Sequence, residues 1–244
     1  MKNTPYKQIS FRTDANKDVT SFFCFVVDAE YDGGRSLEWA VLDKYPECKT
    51  WFADGTFVGK RSDVVRFVKE KYAEHADIID TNLASYEQKW RVVEPKFHEL
   101  VRGLFGTHPW PKGKYVAYPT IWGMFPRFLD NKTFQLPFKF RNKRYVNVVI
   151  AHEMLHFIFY DYFFKHYPKY EGDDYDMLSW HVSEIFNTVV QNSEPWLKVF
   201  SVPTMGYPEH EKIVARLSRI HTGKDGWRTD DLIRDILVEA EKLV

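Results

Sequence analysis

The chain has 244 residues, in which 34 Lys and Arg balance 34 Asp and Glu, so its formal net charge is zero. This length permits one large domain or two small ones, and the balanced charge argues against a dedicated nucleic-acid binder, which normally carries a basic excess. Aromatic residues make up 17% of the chain, which favours a heavy core and a concave, ring-lined cleft.

Residues 1–105 are predicted to form an N-terminal α+β lobe. The opening segment has no apolar h-region and is therefore not a secretory signal. The lobe's predicted elements are a buried strand at 20–27 (TSFFCFVV), a hairpin at 51–59 with Asp54-Gly55 as its turn, a helix from a Ser62 cap to about Ile79, and a second helix over 81–104 that Pro95 kinks or divides.

Residues 106–244 are predicted to form the second part of what we expect to be one compact domain. KYVAYPTIW at 114–122 and KTFQLPFKF at 132–140 read as strands, and Pro137 places the second at a sheet edge or ends its pairing. Four helices are predicted, at 142–166 with an Asn142 cap and a Pro168 stop, at 179–193, at 208–221, and at 229–243 with a Thr229 cap. The predicted fold is α+β, a mixed sheet with an edge strand packed on a long helix, followed by a mainly helical C-terminal part.

The helix predicted over 142–166 carries the sequence HEMLH, an HExxH pattern inside an apolar run. Residues four apart lie on one helix face, so the imidazoles of His152 and His156 can reach one ion. Glu153 is turned by about 100° from His152 and can take a proton from a metal-bound water. A zinc ion would satisfy these buried polar groups, and the alternative is that they are core residues hydrogen-bonded to one another.

HEMLH and the strand before it resemble the zincin metallopeptidases, and among these the gluzincins, over about residues 115–190. In zincins such a helix holds zinc, and an edge strand lines the substrate cleft. The resemblance implies that His152 and His156 are zinc ligands and that Glu153 is the general base.

A catalytic zinc usually has three protein ligands and one open position for water. The metzincin branch does not fit, because Phe159 and Tyr162 stand where it needs a glycine and a third ligand. The gluzincin pattern takes the third ligand from a later helix, where Glu184 in WHVSEIFNTVV is the natural candidate. Two alternatives remain open: Glu184 lies on a polar stripe that faces water, or His181 is the ligand.

Further roles follow from the same resemblance. Many gluzincins carry an acidic residue four positions after the Glu ligand to orient a histidine, but Thr188 stands there. Tyr207 and His210, in MGYPEH, lie downstream of the proposed ligand helix, where a gluzincin supplies donors for the oxyanion. The residues left as candidates for the orienting role are Asp161, His181 and Asn187.

The sequence therefore predicts a zinc-dependent hydrolase, most simply a metallopeptidase with Zn²⁺ as cofactor and a peptide or protein as substrate. Nucleic acid is not expected as a partner because the charge is balanced, and a membrane is not expected because no stretch reaches about 18 uninterrupted apolar residues. Cys24 and Cys48 lack CxxC spacing, which favours a reduced, cytoplasmic setting. The alternatives are a catalytically inactive zinc-bearing binding protein of the zincin fold, a hydrolase of non-peptide substrates, and an aromatic-rich interaction protein with HEMLH in its core.

Overall fold

The structure, a computed structural model, describes residues 7–28, 36–140, 142, 144–172, 176–221 and 228–244. The chain divides into two compact units, and each is discontinuous in sequence. The mixed unit combines the described residues of 8–88 and 113–141, and the helical unit combines Lys7 with those of 89–112 and 142–244. Residues from both sides of position 105 therefore contribute to each unit.

The mixed unit contains a four-stranded sheet with the order β1-β4-β6-β5. Strands β1, β4 and β6 run parallel, and β5 is antiparallel to β6. The elements in chain order are β1 (Ile9–Phe11), α1 (Ala15–Phe22) with a π-helical continuation (Phe23–Val27), α2 (Glu38–Leu42), a 3-10 helix (Pro46–Trp51), β2 (Phe52–Ala53), β3 (Thr56–Phe57), α3 (Arg61–Glu74), the first part of α4 (Ala76–Phe105), β4 (Tyr115–Thr120), β5 (Arg127–Phe128) and β6 (Thr133–Pro137). The predicted α+β class with a mixed sheet is confirmed.

The edge position predicted for the strand at 132–140 is wrong. Strand β6 lies between β4 and β5 in the sheet, and β5 pairs with its first two residues, Thr133 and Phe134. Pro137 is the last residue of β6, so the proline ends the strand instead of marking an edge. Strands β1 and β5 occupy the edges, and with 3 and 2 residues they are too short to show an alternating pattern.

The strand predicted at 20–27 is also wrong, because this segment is helical. Asp14 caps α1, and its side chain accepts a hydrogen bond from the backbone N–H of Asn16 at 3.0 Å. Phe22 and Val26 are buried in the core of the mixed unit, where the Phe22 and Trp122 rings lie 5.5 Å apart. A short apolar run fits a buried helix as well as a buried strand, and the upstream cap distinguishes them.

The hairpin predicted at 51–59 is confirmed. Strands β2 and β3 are antiparallel, and the two residues between them, Asp54 and Gly55, have φ angles of +50° and +76°. A two-residue type I′ turn needs positive φ at both positions, and Asp-Gly supplies it with little strain.

The helix boundaries that follow differ from the prediction. Helix α3 begins at Arg61 after the N-cap Lys60, so Ser62 lies within its first turn instead of capping it. Helix α4 runs without interruption through Pro95, so the predicted division there is wrong. Its first part belongs to the mixed unit and its second part to the helical unit.

The helical unit is arranged around α6, which contacts α5, α7, α8 and α9. Most side chains of α6 are buried, including polar ones. The elements in chain order after α4 are α5 (Val146–His166), a 3-10 helix (Pro168–Tyr170), α6 (Asp176–Gln191), α7 (Glu194–Phe200), a 3-10 helix (Pro208–His210), α8 (Glu211–His221) and α9 (Thr229–Ala240). Within the described ranges, no helix combines the length and the apolar character needed to cross a membrane.

Two predicted helix caps are wrong. Helix α5 begins at Val146, and Asn142 lies in the preceding turn, where its Oδ1 accepts the N–H of Arg144 at 3.0 Å. Thr229 is the first residue of α9, and its hydroxyl donates to the carbonyl of Leu104. Each side chain therefore bonds to backbone outside the helix that it was expected to cap.

Candidate metal centre

Two neighbouring helices of the helical unit bring three potential metal ligands together. His152 and His156 lie one turn apart on α5, and Glu184 lies on α6. The Nε2 atoms of the two histidines are 3.0 Å apart. Glu184 places Oε2 3.1 Å from Nε2 of His152 and Oε1 3.3 Å from Nε2 of His156. Potential ligand atoms of all three residues lie within 4.8 Å of one another.

These spacings suit a shared ion. Donor atoms bound to one tetrahedral zinc at about 2.0–2.1 Å lie about 3.3 Å from one another. The separations of 3.0, 3.1 and 3.3 Å in this cluster are near that value, and they involve both carboxylate oxygens, because Oε2 of Glu184 faces His152 and Oε1 faces His156. Two imidazoles and a carboxylate fit zinc and other divalent transition metals, and they leave a coordination position for water.

The cluster is deeply buried. The side chain of His156 is 0% exposed, that of Glu184 is 4% exposed and that of His152 is 15% exposed. The interpretation of Glu184 as part of a water-facing stripe is therefore wrong. His181, the other candidate for third ligand, points its Nδ1 at Nε2 of His210, 2.7 Å away, and is not part of the cluster.

Buried charge around His152 shifts its pKa. Burial by itself would lower the pKa of this imidazole, but the carboxylate of Glu184 and, to a lesser extent, that of Glu153 raise it above its ordinary value. Glu153 is buried and close enough for its charge to act on His152. This position is compatible with the role of general base that the resemblance implies for Glu153.

Helix α6 also supplies hydrogen bonds that hold the cluster. Oε1 of Gln191 lies 2.9 Å from Nδ1 of His152, and Nε2 of Gln191 donates to the carbonyl of Val148 at 3.1 Å. Because an amide oxygen can only accept a hydrogen bond, the imidazole proton lies on Nδ1. Asn187 donates to the backbone carbonyl of His152 at 3.2 Å, so it contacts the backbone and not the ring.

Gln191 is the residue that sequence reasoning missed. It lies two turns after Glu184 and therefore on the same helix face, which was the available signal. Asp161, one of the three orienting candidates, instead places Oδ2 2.8 Å from Nε2 of His108, and its side chain is 41% exposed. Asp161 is therefore wrong as a residue that orients a ligand histidine.

The two predicted oxyanion donors lie on a segment, Thr204–His210, that we call the return segment. It runs back along α6, and its contacts from one end to the other are Thr204 with Asn192, Gly206 with Thr188, Tyr207 with Trp180, and His210 with His181. The return segment therefore lies along the helix that carries Glu184.

Tyr207 and His210 differ in accessibility. Tyr207 is 36% exposed, and its ring centroid lies 4.8 Å from that of Trp180. His210 is fully buried. Burial and the neighbouring His181 lower the pKa of His210, and the charges of Glu209 and Glu184 act in the opposite direction. His210 is thus within electrostatic reach of the cluster, but its Nε2 is bonded to His181.

Comparisons with protein-family models, with curated proteins and with solved structures gave no match to the chain. The resemblance to the zincins therefore depends on the HEMLH motif and on the geometry of its donors with Glu184. The zincin arrangement of sheet and helix stays a prediction, since β6 belongs to the mixed unit and α5 to the helical unit.

Proposed function

We propose that this chain is a zinc-dependent hydrolase, most simply a metallopeptidase, with zinc held by His152, His156 and Glu184. The convergence of these three donors from two helices, with an acid next to the first histidine, is the observation that supports the proposal. A buried set of two imidazoles and two carboxylates carries excess negative charge when the imidazoles are neutral, and a divalent cation would offset it.

Zinc bound at such a site lowers the pKa of a coordinated water toward about 7 and polarises a carbonyl oxygen. Glu153 would accept the proton of the attacking water and return it to the leaving amine. Of the two predicted oxyanion donors we favour Tyr207, because its side chain is partly exposed and so accessible to a substrate, whereas His210 is fully buried.

The test is hydrolysis of casein and of a peptide library by the full chain, with chelator and with zinc added back. We expect stoichiometric zinc and hydrolysis that the chelator abolishes. Glu153→Gln should keep zinc and lose nearly all hydrolysis, because the amide cannot accept the water's proton. Asp161→Asn is the matched control, an acid on the same helix that pairs with His108, and it should keep activity. Wild-type turnover in Glu153→Gln would refute the base assignment.

A second candidate is a zinc-bearing binding protein without catalysis. The observation that favours it is burial, because the side chains of His156 and Glu184 are 0% and 4% exposed, which restricts the approach of a substrate. Metal-loaded protein that cleaves no peptide would support this function, while hydrolysis of esters or other amides alone would identify a non-peptide hydrolase. Protein that neither contains nor takes up zinc would refute both and leave HEMLH as part of a core.

A further inference from the structure

We propose that Gln191 is the positioning residue of this centre, holding His152 in the tautomer whose Nε2 lone pair faces Glu184 and His156. The inference rests on the proposed zinc site and identifies what orients its first histidine. Thr188 stands where many gluzincins carry an acid for this purpose, and its hydroxyl donates to the carbonyl of Glu184 at 2.8 Å. A neutral amide elsewhere on α6 performs the task instead.

The orientation of the Gln191 amide is set by α5. The carbonyl of Val148 can only accept a hydrogen bond, so the group 3.1 Å from it must be the amide nitrogen of Gln191. The amide oxygen is then the atom 2.9 Å from Nδ1 of His152. Gln191 is 3% exposed, so neither bond is open to exchange with bulk water. The amide therefore offers the imidazole an acceptor and nothing else.

This acceptor determines where the imidazole proton lies. Nδ1 of His152 must carry a hydrogen to bond with an amide oxygen, and in a neutral imidazole Nε2 then holds the lone pair. Nε2 is the atom that lies 3.1 Å from Glu184 and 3.0 Å from His156. Zinc binds the unprotonated nitrogen of a neutral imidazole. By holding the proton on Nδ1, Gln191 leaves Nε2 of His152 unprotonated in the metal-free protein.

The geometry follows from two helical repeats. Val148 and His152 are four residues apart on α5 and therefore lie on one face. Glu184 and Gln191 are two turns apart on α6, so the residue that supplies a ligand and the residue that orients another share a face. One amide can thus span a turn of α5 and align the ring.

The test compares Gln191→Met, Gln191→Glu and Asn187→Ala with the wild type. ¹⁵N NMR of metal-free protein, recorded at a pH at which His152 is neutral, reports the tautomer of His152, and competition with a chelator reports zinc affinity. We expect an Nδ1–H tautomer in the wild type, its loss in Gln191→Met, and a fall in zinc affinity of about 10- to 100-fold. Gln191→Glu keeps an acceptor and should retain both the tautomer and most of the affinity.

Asn187→Ala is the matched control, because Asn187 also links α6 to α5 but bonds to the backbone of His152. A purely structural role for Gln191 would make the two removals alike, whereas the proposal predicts that only Gln191→Met changes the tautomer. An Nε2–H tautomer in the wild type, or an unchanged tautomer in Gln191→Met, would overturn the inference.

If Gln191→Met does not fold, the wild-type and Gln191→Glu spectra decide. A wild type that shows the Nδ1–H tautomer but binds no zinc would refute the proposed function. It would still support the inference that Gln191 sets the tautomer of His152.

Discussion

The Nε2 atoms of His152 and His156 lie 3.0 Å apart, and each faces one oxygen of Glu184. Two imidazole lone pairs repel at this distance, so a proton or a cation must lie between them. Gln191 places the proton of His152 on Nδ1, which leaves its Nε2 as an acceptor or a metal ligand. A proton on Nε2 of His156 can be donated to only one neighbour, either His152 or Glu184. One cation, in contrast, can bind all three residues at once.

Zinc is therefore expected to stabilise the folded chain. A ligand that binds only the folded state at about 100 times its Kd adds about 2.7 kcal/mol, which appears as a rise in Tm. His156→Ala should abolish most of this rise, because it removes a ligand whose side chain is fully buried. Thermal unfolding with zinc and with chelator measures the effect.

The control for this experiment is His166→Ala, an exposed histidine on the same helix whose ring stacks on Tyr162. His166→Ala should keep the full zinc-dependent rise. Equal rises in His156→Ala and the wild type would show that zinc binds somewhere other than this cluster.

Tyr207→Phe is expected to lower kcat with little change in KM or zinc content. Removal of one oxyanion donor costs about 10²- to 10³-fold in kcat. Steady-state kinetics on a cleaved peptide, together with metal analysis, provide the measurement. Tyr118→Phe, in the mixed unit, is the control and should behave like the wild type. An unchanged kcat in Tyr207→Phe would remove this hydroxyl from the mechanism.

The contact between Gly206 and Thr188 predicts a coupled effect on stability. A Cβ added at Gly206 would lie 3.1 Å from Cγ2 and 3.2 Å from Oγ1 of Thr188. Thr188 is buried and its hydroxyl is bonded to the carbonyl of Glu184, so it has little room to shift. Gly206→Ala should therefore destabilise the fold by about 1 kcal/mol, and Thr188→Ala should offset part of that cost by removing both atoms. Denaturant unfolding of the wild type, both single variants and the double variant gives the coupling free energy, expected to exceed about 0.5 kcal/mol. Strict additivity would mean that the return segment does not pack here.

The donor set could be predicted because it depends on helical repeats within single segments. His152 and His156 are four apart in an apolar run, and Glu184 follows on a second amphipathic helix. The sequence places Gln191 on the same helix face as Glu184, but it does not give the role of Gln191, since its partners His152 and Val148 belong to another helix. Which polar residue of α6 meets them depends on how the two helices pack, and that is set by many side chains together.

The fold shows the same division between local and long-range information. The Asp54-Gly55 turn was predictable because its residue types suit positive φ angles. The interior position of β6 was not, because it depends on pairing with β5, whose 2 residues carry no periodic signal. The strand prediction for residues 20–27 was wrong for a different reason, since the apolar run of this segment fits both a strand and a buried helix.

A last prediction concerns a buried carboxylate in the mixed unit. Asp18 is 0% exposed, and its Oδ2 accepts hydrogen bonds from the hydroxyl of Tyr72 at 3.0 Å and the N–H of Ile121 at 2.9 Å. Its Oδ1 accepts from Nε2 of Gln135 at 2.7 Å. Burial raises the pKa of Asp18 to about 6, although the hydrogen bonds, including one from Thr120, act to lower it.

This pKa makes stability depend on pH. Between the ordinary value of 3.8 and about 6, the folded state holds a proton on Asp18 that the unfolded state has lost, so stability falls as pH rises through that window. The difference between these two pKa values corresponds to about 3 kcal/mol. Asp18→Asn cannot ionise, so its free energy of unfolding should lack this contribution. Urea unfolding from about pH 4 to about pH 7 should show the wild type losing stability relative to the variant by up to about 3 kcal/mol. A difference that stays constant over this range would mean that Asp18 is ionised throughout, held in that form by its hydrogen-bond donors against the cost of burial.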